Sequence, residues 1–158
     1  MITLREVSTS DKRLYDIWQI DSTLTGYLSR ICPNDSSTAD YDSSRVCWFI
    51  IEDNSHEIGA VWLEKDRYAA DFVTLGIFIS EEHNRGKGIG IDAIKKAIQI
   101  SKDRMAFKHV KLNVRKNNHR AIHCYEKCGF RIYDEGRKVA QDGTYVEYYK
   151  MSMEVDEQ

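Results

Sequence analysis

The segment Arg85-Gly86-Lys87-Gly88-Ile89-Gly90 sets three glycines at alternate positions and two cations among them. Glycine reaches positive φ and lets a ligand approach the backbone without a Cβ in the way. Where such a loop opens a helix, unpaired N–H groups and the positive end of the helix dipole point at one spot. Arg85 and Lys87 add charge beside it, and a phosphate or pyrophosphate is the ligand that suits this arrangement. Two well-known phosphate loops do not fit. No Gly-Lys-Ser/Thr closes a four-residue gap, and the third glycine of G-x-G-x-x-G arrives one residue early, with Ile91 in its place. A second constellation follows about thirty residues on: Asn118, Ala121, Ile122 and Tyr125 stand at i, i+3, i+4 and i+7 and so share one face of a helix. That face carries one titratable hydroxyl.

The elements that position these residues can be read from periodicity. Ile2, Leu4 and Val7 suggest a first strand over 2 to 8, and Ser10 or Asp11 caps a helix with Leu14, Ile17 and Trp18 at i, i+3 and i+4. A short second helix is predicted within 21 to 30, ended by Pro33. Residues 32 to 45 are polar and aperiodic, hence a loop, whose acids Asp35, Asp40 and Asp42 are those of a solvated connection or of a lid that attracts a cationic amine. Three apolar runs, Val46 to Glu52, Ile58 to Leu63 and Phe72 to Ile79, form an antiparallel meander through short connections.

After Gly90 the period becomes helical, with Ile91, Ile94 and Ile98 in a stripe beside Ala93, Ala97 and Ile100. His109 to Val114 alternates as a strand, which a βαβ crossover sets parallel to the strand ending at Ile79. Asn117 or Asn118 caps the next helix, Gly129 stops it, and strands over Phe130 to Val139 and Tyr145 to Val155 flank the turn Gln141-Asp142-Gly143. The phosphate loop therefore joins a strand to a long amphipathic helix, the context in which a helix N-terminus binds anions.

Length and charge narrow the class. The chain of 158 residues suits one domain spanning 1–158, with 42% hydrophobic and 30% charged residues. A net charge of -2 argues against bulk nucleic-acid binding. No apolar run is long enough for a membrane helix, and Met-Ile-Thr-Leu-Arg-Glu-Val reads as a strand, so a cytoplasmic protein is expected, with no nucleic-acid or membrane partner. Cys32, Cys47, Cys124 and Cys128 lack C-x-x-C spacing and suit reduced thiols.

The letters R-x-x-G-x-G, carried by Arg85, Gly88 and Gly90, resemble the acyl-CoA pyrophosphate loop of the GNAT acetyltransferases. The stretch Asn118 to Phe130 resembles that family's second signature, N-x-x-A-x-x-x-Y followed by G-F. With the predicted order of elements, the resemblance covers most of the chain from Val46 onward. It implies an α/β (α+β) GNAT fold, a mixed and mostly antiparallel sheet of about six to seven strands flanked by helices. It also implies transfer of an acetyl group from acetyl-CoA, the cosubstrate, to a primary amine on a small molecule or peptide N-terminus, by direct attack in a ternary complex.

Residue by residue, the resemblance assigns the cosubstrate to Phe78, Ile79, Ser80, Arg85, Gly86, Lys87, Gly88, Ile89, Gly90, Asn118, Ala121 and Tyr125. A strand N–H near Ile79 or Ser80 would polarise the carbonyl and Tyr125 would protonate the departing thiolate; a phenol of pKa about 10 suits that task. Where some relatives carry a Glu base, this chain has Asn113, an amide that can orient water or substrate but cannot take a proton. Glu64, Asp71, Glu81 and Glu82 read as solvated strand-end charges, which leaves a water-mediated base.

The rival readings are a non-catalytic acyl-CoA-binding sensor or interaction module on the same fold, and a nucleotide-binding protein that uses the glycines for ATP or NAD. No metal is expected. His119 and His123, like Cys124 and Cys128, stand at i, i+4, but Arg120 breaks H-E-x-x-H and the two pairs are offset. The tryptophans read mainly as core. The amine and the oligomeric state, a homodimer included, stay open.

Overall fold

The computed structural model describes residues 2–21, 24, 28, 30–66, 71–80 and 87–155. In chain order they form β1 (Ile2–Glu6), a 3-10 turn (Thr9–Asp11), α1 (Lys12–Trp18), β2 (Val46–Asp53), β3 (His56–Glu64), β4 (Phe72–Ile79), α2 (Ile89–Lys102), β5 (His109–Arg115), α3 (His119–Cys128), β6 (Arg131–Val139) and β7 (Tyr145–Glu154). The predicted elements appear in the predicted order. The short helix expected within 21 to 30 lies almost wholly outside the described residues.

One seven-stranded sheet runs β1-β2-β3-β4-β5-β7-β6. Every neighbouring pair is antiparallel except β4 and β5, which the α2 crossover makes parallel. The β2–β3 hairpin turns on Asn54 and Ser55, both at positive φ, the conformation a two-residue hairpin loop demands.

Both faces of the sheet are covered near its middle. On one face Phe49, Ile51, Val61, Leu63, Val73, Leu75, Val110, Leu112 and Val114 pack with Ala93, Ile94, Ala97 and Ile98 of α2 and Tyr125 of α3. On the other, Trp48, Ile50, Ala60, Trp62 and Phe78 pack with Leu14, Tyr15 and Trp18 of α1 and with Leu24. A strand covered on both sides needs apolar residues at every position, which is why β2 reads as a continuous run and not an alternation. All three tryptophans are buried in this second core.

The 32–45 connection is irregular, as composition predicts, but it is tied down. The Tyr41 hydroxyl donates to the Val7 carbonyl at 2.7 Å and the Asn34 N–H to Glu64 at 2.9 Å. Asp42 accepts from the backbone N–H and hydroxyl of Ser44 and pairs with Arg45. These bonds hold its carboxyl below the usual range and commit it to its own turn.

Candidate active site

The site begins where β4 and β5 part. Their parallel ladder holds at Phe72 with His109, Val73 with Val110 and Thr74 with Lys111, and ends there although both strands continue. β4 stays paired to β3 as far as Ile79 opposite Gly59, and β5 to β7 as far as Arg115 opposite Tyr148. The sheet is thereby split into a wedge that widens from Thr74 toward Ile79.

Antiparallel pairing alternates, so each ladder shows which backbone groups face the wedge. Ser80 donates its N–H to the Ile58 carbonyl, as does its hydroxyl at 2.8 Å. Residues of the same parity as Ser80, namely Phe78, Gly76 and Thr74, therefore bond to β3, and those of Ile77 and Ile79 point toward the wedge. On the far side, Lys116 donates to Glu147 and Val155 to Lys108, which turns Val110, Leu112 and Val114 toward β7 and the backbone of Asn113 toward the wedge. Of the two positions expected for a carbonyl-polarising amide, Ile79 or Ser80, the Ser80 N–H is committed to β3.

The wedge opens beneath the start of α2. Gly88, its N-cap, sits at φ 77°, and among the described residues nothing lies within 4 Å of the position a Cβ would take. The left-handed conformation requires glycine. Helix α2 begins at Ile89, with Gly90 inside its first turn, slightly earlier than the periodicity predicts. Its first N–H groups have no carbonyl one turn back to bond. Asp92, a first-turn acid that would oppose an anion, is drawn aside by Lys96 at 3.4 Å, which also donates to the Ile2 carbonyl. Lys87 is exposed beside this mouth, and Arg85 and Gly86 lie outside the described residues.

Gly90 also sets how closely two helices approach. A Cβ there would stand 3.1 Å from the Cys124 sulfur and 3.9 Å from Ile79, so it permits close contact between α2 and α3. It does not itself face open space.

That contact places α3. Asn118 is its N-cap, with its side-chain oxygen accepting from the Ala121 N–H at 3.3 Å. Asn118 and Ala121 are thus joined at the helix start. Gly129 ends the helix at φ 109° and turns Phe130 into the core, where its ring meets Tyr125 edge-on at 5.9 Å. Tyr125 is buried, and burial pushes its phenol above the ordinary value, with Cys124 and Cys128 adding to the rise. The proton stays on.

Asn113 is exposed on the opposite face from its buried neighbours Leu112 and Val114. Glu64 is not the solvated strand-end charge expected, for it is buried and pairs with Arg30. Asp71 is exposed and its carbonyl accepts from Lys108 and His109, while Glu81 and Glu82 lie outside the described residues. The two pairs on α3 diverge: His119 and His123 are exposed, whereas Cys124 and Cys128 are half-buried, Cys124 against α2.

The sequence profile of the Acetyltransferase (GNAT) family matches residues 12–130. The chain belongs to this family. A spermidine N(1)-acetyltransferase of Vibrio cholerae is 32% identical over 107 residues, which are 65% of this chain and 60% of that protein. The match thus spans less than two thirds of that relative. Among solved structures, the spermidine N-acetyltransferase from Vibrio cholerae in complex with CoA and spermine superposes with a TM-score of 0.74 at 22% identity, over 97% of this chain and 95% of that one. An aminoglycoside acetyltransferase in complex with coenzyme A gives 0.73 at 19% identity, over 98% and 95%. At such identities the likeness is one of fold: a seven-stranded, mostly antiparallel GNAT sheet with helices on both faces.

Proposed function

We propose that this chain is an acyl-CoA-dependent N-acyltransferase that moves an acetyl group from acetyl-CoA to a primary amine. The observation that carries the reading is the wedge between β4 and β5 beneath the glycine-capped start of α2. A long polar arm ending in a pyrophosphate fits there. Backbone groups of Ile77 and Asn113 would pair with its amides, and the first N–H groups of α2, with Lys87 and the Arg85–Gly86 segment, would take the anion. Bound acetyl-CoA supplies a thioester activated toward attack.

The protein's own groups have separate tasks. Odd-numbered β4 amides donate to oxygen where negative charge develops. Tyr125, held protonated by burial, gives its proton to the leaving sulfur. Deprotonation of the ammonium falls to water ordered near Asn113, because Glu64 is occupied by Arg30 and Asn34. The amine comes from the Asn113 face, because on β5 that side chain is exposed whereas Val110, Leu112 and Val114 on the other face are packed in the core with α2 and α3. Relatives named for spermidine and for aminoglycosides support an amine acceptor. A cytoplasmic setting, where thiols stay reduced, accords with the C-x-x-C-free cysteines.

The test is a thermal-shift series with acetyl-CoA, ATP and NAD, followed by turnover on a panel of amines. Stabilisation by acetyl-CoA alone, with transfer to an amine, is expected. Stabilisation without transfer to any amine would make the chain a sensor, and stabilisation by ATP or NAD instead would end the acyl-CoA reading.

A further inference from the structure

The face from which the amine arrives holds two buried hydrogen-bond donors with nothing to donate to. Trp62 is 2% exposed and its indole N–H has no partner among the described residues. Beside it the Arg30 guanidinium lies 5.9 Å from the Trp62 ring centroid, and its Nη1 is likewise buried and unpartnered, although the same side chain pairs with Glu64. A buried donor left unpaired costs on the order of 1–3 kcal/mol. Ser101 Oγ on α2 is also buried without a hydrogen bond among the described residues, but two donors beside one another call for a ligand.

Their place says which one. Trp62 stands directly opposite Gly76, and its indole reaches across β4, so that a Cβ at Gly76 would come within 2.1 Å of the ring and 2.7 Å of the nitrogen. Gly76 lies just beyond Thr74, the last β4 residue paired to β5. It therefore borders the wedge, and Ile79 is about 10 Å further along the strand. Arg30 and Asn34 also line an open cavity of about 540 Å³ with Cys32, Ser37 and Asp40, which brings solvent-accessible space to the Arg30 side chain.

Indole and guanidinium nitrogens can only donate. A protonated polyamine can only donate as well, so it leaves both groups unsatisfied. A carbonyl or hydroxyl oxygen satisfies them. We propose, on the basis of the acyltransferase reading above, that Trp62 and Arg30 form an oxygen-binding subsite, and that the acceptor is an amine carrying a carbonyl or hydroxyl near the reacting nitrogen. Trp62 is then a specificity-determining residue.

Substrates matched except for the oxygen test this: glycinamide for the carbonyl source, ethanolamine for the hydroxyl, and propylamine and spermidine as amines without one. The wild-type protein is expected to favour glycinamide or ethanolamine over propylamine by at least about a hundredfold in kcat/KM. In Trp62→Phe, which keeps a ring beneath Arg30, that ratio is expected to fall about tenfold or more while the acetyl-CoA thermal shift persists. A merely structural role lowers turnover of all amines alike and leaves the ratio intact, which would overturn the proposal. So would a wild-type preference for spermidine or propylamine. Should the variant not fold, the wild-type indole N–H resonances decide: one must move on addition of glycinamide or ethanolamine and stay still with propylamine, and no movement sinks the idea. Absence of any acetyl-CoA shift in the wild type would instead remove the underlying acyltransferase reading.

Discussion

Tyr125 shows how its surroundings keep one side chain protonated. Its hydroxyl belongs to a helix whose end, Gly129, swings Phe130 against the ring, and burial raises the phenol above its ordinary value. An acid whose folded pKa is raised keeps its proton as pH climbs through the usual range, so no alkaline limb in kcat should arise from Tyr125 below about pH 10. Tyr125→Phe removes the proton and little volume. We expect kcat to fall by about 10²–10⁴-fold with the acetyl-CoA thermal shift retained; unchanged turnover in steady-state assays would exclude the residue from the mechanism. The Tyr125 identity and spacing were legible from the signature. Its protonation is not, because burial is a property of packing.

At the scale of elements, two joints have consequences that can be measured. The first is Gly90 against Cys124, where α2 meets α3. Gly90→Ala should destabilise by about 1–2 kcal/mol through crowding, offset in part by the helix-favouring alanine. Adding Cys124→Ala should recover most of the loss, a coupling that a double-mutant cycle of denaturation midpoints reads directly. Additive effects would mean that the two helices do not touch there.

The second joint ties β1 to α1. Arg5 donates to both oxygens of buried Asp11, at 3.0 and 2.9 Å, and the Ser8 N–H donates at 2.8 Å. Burial would raise the Asp11 carboxyl, but these bonds, with the charges of Arg5 and Arg13, hold it below the usual range. A lowered folded pKa gives stability that is present above the unfolded value of about 3.9 and is lost as pH falls through the folded one. Asp11→Asn should therefore cost about 1–3 kcal/mol at pH 7, since Arg5 is partly solvated, and the difference from wild type should shrink below about pH 4 in acid-denaturation curves.

At the scale of the molecule, the sheet is two halves joined by a short parallel ladder, β1 to β4 on one side and β5 to β7 on the other. A ligand that pairs with both edges of the wedge would complete the sheet. Hydrogen exchange should find the Ile77 and Asn113 amides less protected than Val110, and acetyl-CoA should slow the first two selectively. Uniform protection throughout would speak against binding in the wedge.

Element order, the β2–β3 hairpin turn, a helix cap at Asn117 or Asn118, the stop at Gly129 and the glycine-rich segment were all written in local pattern: periodicity, turn residues and two short signatures act over a few neighbours, which is why they can be read off the chain. Contacts between distant segments are not written that way. Only the tertiary structure shows that Ser80 spends its N–H on Ile58, that Gly90 packs against Cys124 and that Glu64 is buried with Arg30. The same holds for Trp62, which in sequence is one more core aromatic. Its unpaired N–H beside the wedge follows from Gly76 on the next strand and Arg30 some thirty residues earlier, a meeting decided by packing alone.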